Sequence, residues 1–357
     1  MYNILNHYIR KVIISSTIVV FLVLISLSSI IRLVDELRKI EEGNYSIFEV
    51  IIYIALSLPK DFELFFPIAT LLGGLLGLSV LEVHNEFIAM QVSGFSRLQI
   101  ALSVIKASVP VLLCSIISNE WVVPNSEKII HTYRDKSQYD TCLLSVKFKN
   151  LWFIDNNDFV YVERVVSCSE LLGVKLYNFD EKKKLKKIFY VNRAVFISKV
   201  WHLIDVNELD ISDEMCIVNN KISHSEWHAA LTPYKLSMLI THPNVLSISK
   251  LYHCTKYFNK VGQSSKYYQM IFWNKISSPI SGSAMTIMAL ACTFGPLYKK
   301  KTGFRLFIGS IVGFLFYILN QIFGTLGIIY NIPPIIGSIS PSIIFLVIST
   351  IIIWIYS

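Results

Sequence analysis

The sequence carries no G-x-x-x-x-G-K-[ST] loop to cradle nucleotide phosphates, so the chain does not itself hydrolyse ATP through a P-loop. It also lacks a G-x-S-x-G nucleophile elbow and an H-E-x-x-H zinc motif. The nearest approach to a metal set is His224-Ser-Glu-Trp-His228. On a strand those histidines share a face but stand about 13 Å apart at about 3.3 Å per residue, too far to share one zinc. Cysteine is scarce: six in 357 residues, irregularly spaced and without C-x-x-C, which supports neither a zinc nor a thioredoxin-type site. Cys114 and Cys292 fall in apolar segments, while Cys142, Cys168, Cys216 and Cys254 fall in the polar region between them. An oxidising compartment would permit disulfides among those four, but buried free thiols are the better reading. No catalytic residue, metal or cofactor is expected.

What the chain has in abundance is apolar length. Hydrophobic side chains make up 53% of it and the mean hydropathy is +0.53, above the needs of a soluble core. Apolar segments occupy residues 12–31, 47–81, 98–121, 268–294, 304–330 and 334–355. A hydrocarbon core of about 30 Å takes about 20 apolar helical residues to cross, and only helices satisfy their own backbone there. An integral membrane protein with six transmembrane helices is predicted. The positive, then apolar N-terminus resembles a signal peptide, but no A-x-A-like site follows and Arg32, Asp35, Glu36, Arg38 and Lys39 come next. The expectation is an uncleaved first helix.

The net charge of +8 does not point to nucleic acid, because of where the cations lie. His7, Arg10 and Lys11 precede the first span, and Lys299, Lys300, Lys301 and Arg305 sit in the turn between the fourth and fifth. With both turns cytoplasmic the positive-inside rule is met twice. Both termini are then cytoplasmic and the middle region lies outside. The lysine-rich residues 182–187 do not conflict, since long translocated domains are largely exempt.

Between residues 143 and 231 the period changes from 3.6 to 2. LWFIDNNDFVYVERV, GVKLYNFDEKKKLKKIFYV and RAVFISKVWHLIDVNEL read as three hairpins, turning at Asp-Asn-Asn-Asp, at the lysines and at Ser198–Lys199. Short strands at this spacing suggest an all-β sandwich or jelly roll. Its edge strands would pair with another β protein, unless charged edges prevent it. The domain division is residues 1–121 for three spans, with a short cytoplasmic helix near 82–97, then 122–267 for the β domain with its connectors, and 268–357 for three more spans.

Three further features are ambiguous from residues alone. The second span holds Pro59, Pro67, Lys60, Asp61 and Glu63, followed by Gly73, Gly74 and Gly77. It is either a close helix-packing face or a kinked, cavity-lining helix. The link HNEFIAMQVSGFSRLQ has apolar anchors at Val83, Phe87 and Met90 beside Glu86. It either lies flat at the interface or docks into a cytoplasmic partner. Arg32, Arg38, Lys39, His131 and Arg134 sit at the outer ends of spans, where they either snorkel or form a rim for an anionic head group.

The stretches SLSSIIRLVDELRK, SLPKDFELFFPIATLLGGLLGL, HNEFIAMQVSGFSRLQIALSV, LTPYKL with LSIS, and FYILNQIFGTLGIIYNIPPIIGSISP carry a resemblance that runs from end to end. The chain resembles the LptF/LptG permeases of lipopolysaccharide export, and its motifs look more like the LptG branch than its LptF sister. Two positions depart: His131 stands where the family often has arginine, and Asn320 where an acidic residue is common. The resemblance implies a non-catalytic permease subunit in the bacterial inner membrane, paired with an LptF-like permease and driven by an LptB-like ATPase dimer. The link helix with Glu86, Phe87 and Met90 would couple to that ATPase. An outward-facing cavity would take lipopolysaccharide from the outer leaflet, with Phe65, Phe66, Phe316 and Tyr317 as its apolar wall and Arg32, Arg38, Lys39 and Arg134 at the phosphates. The periplasmic jelly roll would pass the lipid to LptC- and LptA-like β proteins. A membrane scaffold with no transport path and a membrane-anchored enzyme are the other readings.

Overall fold

A computed structural model describes residues 2–41, 47–95, 97–137, 148–155, 158–167, 169–179, 184–197, 200–213, 216–227, 229, 232–233, 236, 243–260, 265–297, 300–330 and 332–356. The chain divides into two compact units. The first comprises Met1–Thr132, Ser247–Leu251 and Lys266–Ser357, and the second Tyr133–Leu246 and Tyr252–Ser265.

The first unit is helical. Its elements are α1 (Tyr2–Glu41), α2 (Ile47–Val83), the short α3 (Glu86–Val92), α4 (Arg97–Ile117), a π-helical turn (Ser118–Val122) and α5 (Val123–Ser137). After the β domain come α6 (Ile248–Lys260), α7 (Lys266–Phe294), α8 (Thr302–Ile329) and α9 (Pro334–Tyr356). Among the described residues six stretches are long and apolar enough to cross a membrane: Asn6–Arg38, Ile47–Val83, Gln99–Ile130, Lys266–Phe294, Thr302–Ile329 and Pro334–Tyr356. At 1.5 Å per residue, the 40 residues of α1 reach about 60 Å, about twice a hydrocarbon core, so its charged ends extend past the apolar band. The third span continues beyond Trp121, where its apolar run stops, because Val123, Ser126, Glu127 and Ile130 are still buried on one face.

Small residues decide which helices are central. A Cβ added at Gly73 would stand 2.5 Å from the Thr17 Cα of α1, and one at Gly74 would stand 2.9 Å from Ala289 Cβ of α7. The backbone of α2 therefore touches both neighbours, as membrane helices do where glycine lets them approach. The most apolar stretch of the second and fourth spans is 67% buried, against 17% in the first and fifth, which places α1 and α8 at the margins of the bundle. α2 stays helical through Pro59 and Pro67.

The second unit holds the C-terminal parts of α5 and α6 and one antiparallel sheet of six described strands: β1 (Phe148–Asp155), β2 (Asp158–Ser167), β3 (Glu170–Phe179), β4 (Leu185–Ile197), β5 (Val200–Asp213) and β6 (Cys216–Trp227). They lie in sequence order, each paired with the next. The expected turns are in place, since Asp155 pairs with Asp158 and Ile197 with Val200. β4 is a single long strand that serves both the second and the third hairpin.

A fold line crosses this sheet. Asn150, Glu163, Gly173, Asn192, Asp205 and Ser223 stand opposite one another in successive strands, each between residues that pair regularly. The residues on β1, β3 and β5 in that row have positive φ: Asn150 at 62°, Gly173 at 64° and Asp205 at 55°. Glycine, asparagine and aspartate are the residues that visit this region at low cost. The inward-facing positions then change parity across the row. Val162 and Val165, Leu171 and Val174, Val191 and Ala194, and Leu203 and Val206 are successive buried residues three apart, where a flat strand would place them two apart. Buried residues from both sides of the row belong to one core, including Val160, Val162, Val174 and Val206 from one limb and Val165, Leu171, Trp201 and Leu203 from the other. One sheet thus bends toward that face and closes a core with itself.

Candidate functional site at the two ends of the helical bundle

At the end from which α3 departs, Leu78, Leu81, Ile9, Ile13, Ile100, Val104 and Leu290 form a buried cluster. Phe87 and Met90 of α3 complete it, with 5% and 7% exposure, and Phe87 meets Phe294 at 5.4 Å between ring centroids. The residue pattern left interface and partner both open for these two side chains, and the resemblance implied a partner. They instead seat α3 on its own bundle, because the apolar stripe of a short amphipathic helix finds the nearest apolar surface. The residues turned outward are His84, Asn85, Ala89, Val92, Ser93 and Gly94, with Val83 at 68% and Val92 at 83% exposed. Asn85 makes the tight turn with a φ of 56°.

Two polar contacts fix this segment. Tyr8 Oη of α1 donates to Glu86 Oε1 at 2.8 Å, leaving Glu86 partly exposed. Arg305 of α8, 2% exposed, forms an ion pair with Glu82 in the last turn of α2 and donates to Ser79 Oγ at 3.3 Å. Arg305 is therefore used internally, and Arg10, Lys11, Lys300 and Lys301 remain as exposed cations at this end among the described residues.

The opposite end is also charged, and here the cations are held by carboxylates. Arg32 of α1 pairs with Asp61 of α2, whose residue exposure is 1% and whose other oxygen accepts from Ser28 Oγ at 3.0 Å. Lys60 Nζ lies 2.8 Å from Glu127 Oε1 of α5. Lys275 of α7 is 5% exposed and interacts electrostatically with Glu63, Glu120 and Glu127. Glu120, in the π-helical turn, accepts from Ile248 N at 3.0 Å and Ser249 Oγ at 2.6 Å, so it caps α6. None of Asp61, Glu63, Glu120 and Glu127 was read from the sequence as a site residue; the proline-flanked Lys60-Asp61-x-Glu63 was the signal.

Of the predicted basic rim, Arg38 is exposed on α1, whereas Arg32 is not free because Asp61 holds it. Lys39, His131 and Arg134 lie on helical backbone, and their side chains fall outside the described residues. Of the predicted apolar wall, Phe66 is 0% exposed, packed with Val20, Phe21 and Ala69, and Phe316 is 2% exposed in edge contact with Phe345. Those two belong to helix packing rather than to a cavity surface. Phe65 and Tyr317 are partly exposed, and Gln321 Nε2 donates to Tyr317 Oη at 3.5 Å. Among the described residues no group of acidic, histidine and cysteine side chains forms a metal set. Cys114, Cys254 and Cys292 are free thiols, while His228, Cys142 and Cys168 and the Cys216 side chain fall outside the described residues.

Comparison with known proteins agrees with this architecture along the whole chain. Residues 7–356 match the family described as lipopolysaccharide export system permease LptF/LptG. The lipopolysaccharide export system permease protein LptG of Escherichia coli strain K12 is 41% identical over 350 residues, covering 98% of this chain and 97% of that protein. The protein of the same name from Haemophilus influenzae strain Rd is 36% identical over 349 residues, covering 97% of both. With six spans, an inserted β domain and this similarity at full length, the chain belongs to the LptF/LptG family of lipopolysaccharide export permeases.

Proposed function

We propose that this chain is the LptG-type half of an ATP-driven exporter in the bacterial inner membrane, drawing lipopolysaccharide from the outer leaflet and passing it to periplasmic β proteins. The observation that carries this reading is α3. A chain without a nucleotide-phosphate loop carries a short helix anchored from within by Phe87 and Met90 and presenting Ala89 and Val92 outward beside a partly exposed Glu86, next to exposed Val83 at the end of α2. That is the form of a lever for an LptB-like ATPase dimer, and Arg10, Lys11, Lys300 and Lys301 at the same end support its cytoplasmic placement. Both termini are then cytoplasmic and the β domain periplasmic. The exposed apolar faces of α1 and α8 suit contact with an LptF-like permease, the two together enclosing the lipid.

Arg38, Lys39 and Arg134 are proposed for the phosphates of the lipid, with Arg32 delivered by Asp61. Phe65 and Tyr317 remain as acyl-chain contacts. LptC- and LptA-like proteins would continue the path by pairing with an edge of the creased sheet, whose outermost described strands are β1 and β6. The test is Glu86→Ala in the assembled complex. Truncating one partner of a buried interfacial charge pair costs about 2–5 kcal/mol. The variant is expected to lose the ATPase on purification or to lose lipopolysaccharide-stimulated ATP hydrolysis. Full recovery of both activities in that variant removes the lever from the account.

A further inference from the structure

The outer face of the creased sheet holds a groove of about 540 Å³ that the export reading does not use. It runs over the fold line on β3 to β6 and is lined by Lys175, Tyr190, Asn192, Asp205, Asn207 and Lys221. The register explains why these residues meet. Trp152, Tyr161, Lys175, Tyr190, Asn207 and Lys221 form one cross-strand row, two residues along from the fold line in each strand. Within that row Lys175 Nζ lies 5.5 Å from the ring centroids of both Tyr161 and Tyr190. Trp152, 55% exposed, extends the aromatic row, 4.8 Å from Tyr161 and stacked at 5.9 Å on Tyr177. Tyr161 Oη donates to Asn150 Oδ1 at 2.6 Å, which ties the row to the fold line.

We infer that this groove binds an acidic oligosaccharide. Tyr190 in the lining and exposed Trp152 along the same row offer flat apolar surface to the C–H faces of sugar rings. Asn192, Asn207 and Asp205 offer donors and acceptors matched to hydroxyl groups. Lys175 and Lys221 outnumber the single carboxylate of Asp205 in the lining, so the groove favours a phosphate- or carboxylate-bearing sugar over a neutral one. Gly173 and Asp205, both with positive φ, line the groove where the fold line crosses it. The inference rests on the export reading only for the source of the sugar, the saccharide part of lipopolysaccharide.

The experiment titrates the full-length chain in detergent with three probes: the acidic oligosaccharide released from lipopolysaccharide by mild acid, maltohexaose, and inorganic phosphate. Saturable binding of the acidic oligosaccharide is expected, at least tenfold tighter than either control. Lys175→Ala with Lys221→Ala, and separately Tyr190→Ala, should each weaken it tenfold or more. Should Tyr190→Ala fail to fold, the lysine pair, both partly or fully exposed, decides the matter. Equal binding of inorganic phosphate, equal binding by the lysine variant, or no saturable binding by the unaltered chain overturns the inference. Any of these results with lipopolysaccharide-stimulated ATP hydrolysis intact in the complex leaves the export reading standing. Conversely, oligosaccharide binding in a chain that recruits no ATPase keeps the groove and removes the exporter.

Discussion

Asp61 is the residue on which the end of the bundle opposite α3 depends. It is 1% exposed and pairs with Arg32, so each charge makes the other's desolvation tolerable. Removing one member of a buried pair costs about 3–5 kcal/mol because the other charge is left uncompensated. Asp61→Ala should therefore lower the unfolding temperature of the purified protein markedly. Combining it with Arg32→Ala should recover part of the loss, a non-additivity that a double-mutant cycle measures. Additive losses would mean that the two residues act independently. Cys254 gives a second residue-scale expectation. Burial pushes its thiol up to about 11, so the folded state favours the protonated form. Its contribution to stability is complete below the ordinary thiol range near pH 8.5 and is lost as pH rises through about 11. At pH 8 N-ethylmaleimide should leave Cys254 unlabelled until the protein unfolds.

At the scale of elements, α3 and the sheet make opposite demands. α3 is a seven-residue helix, too short to be stable alone, and depends on its seat. Phe87→Ala should cost about 3–5 kcal/mol of local packing and raise amide hydrogen exchange across Glu86–Val92, whereas Val92→Ala should leave exchange unchanged. The sheet depends instead on its fold line. A side chain at Gly173 would meet Glu163 Cβ at 2.8 Å and would have to adopt a φ of 64°, so Gly173→Val should unfold the β domain or loosen strands β2 to β4 before it affects the helices. The spans and hairpins were legible in the sequence because apolar length and alternation are local signals. The Arg32–Asp61 pair was not, since it joins residues 29 apart in different spans. Nor was the direction of Phe87, because an apolar stripe does not say whether its cover is the same chain or another. The fold line left a trace, the buried pairs spaced by three in β2 to β5, which a period-2 reading absorbs as an imperfect strand.

For the whole molecule, the two charged ends differ in kind. At one end Arg305, Glu82 and Glu86 tie α1, α2, α3 and α8 together, so motion of α3 is shared among spans rather than taken up by a loose loop. At the other, charged contacts of Asp61, Lys60, Glu63, Glu127 and Lys275 link α1, α2, α5 and α7, and Glu120 of the π-helical turn adds α6. Arg305→Met keeps much of the side-chain length and removes the ion pair. It should leave the fold intact while lowering the ATP hydrolysis gained per lipid added to the complex. An unchanged ratio would show that α8 has no part in positioning α3.

The line of unpaired residues also bears on what can be added to this sheet. Along β1 and β6, the outermost described strands, the backbone groups keep one rhythm up to Asn150 or Ser223 and another beyond it. An incoming strand of unbroken alternation stays in step with only one limb, then turns its side chains the wrong way along the other. To follow the whole edge, the newcomer must carry its own unpaired residue at the same level. The crease therefore acts as a ruler, admitting along its full length only strands that bend where this sheet bends.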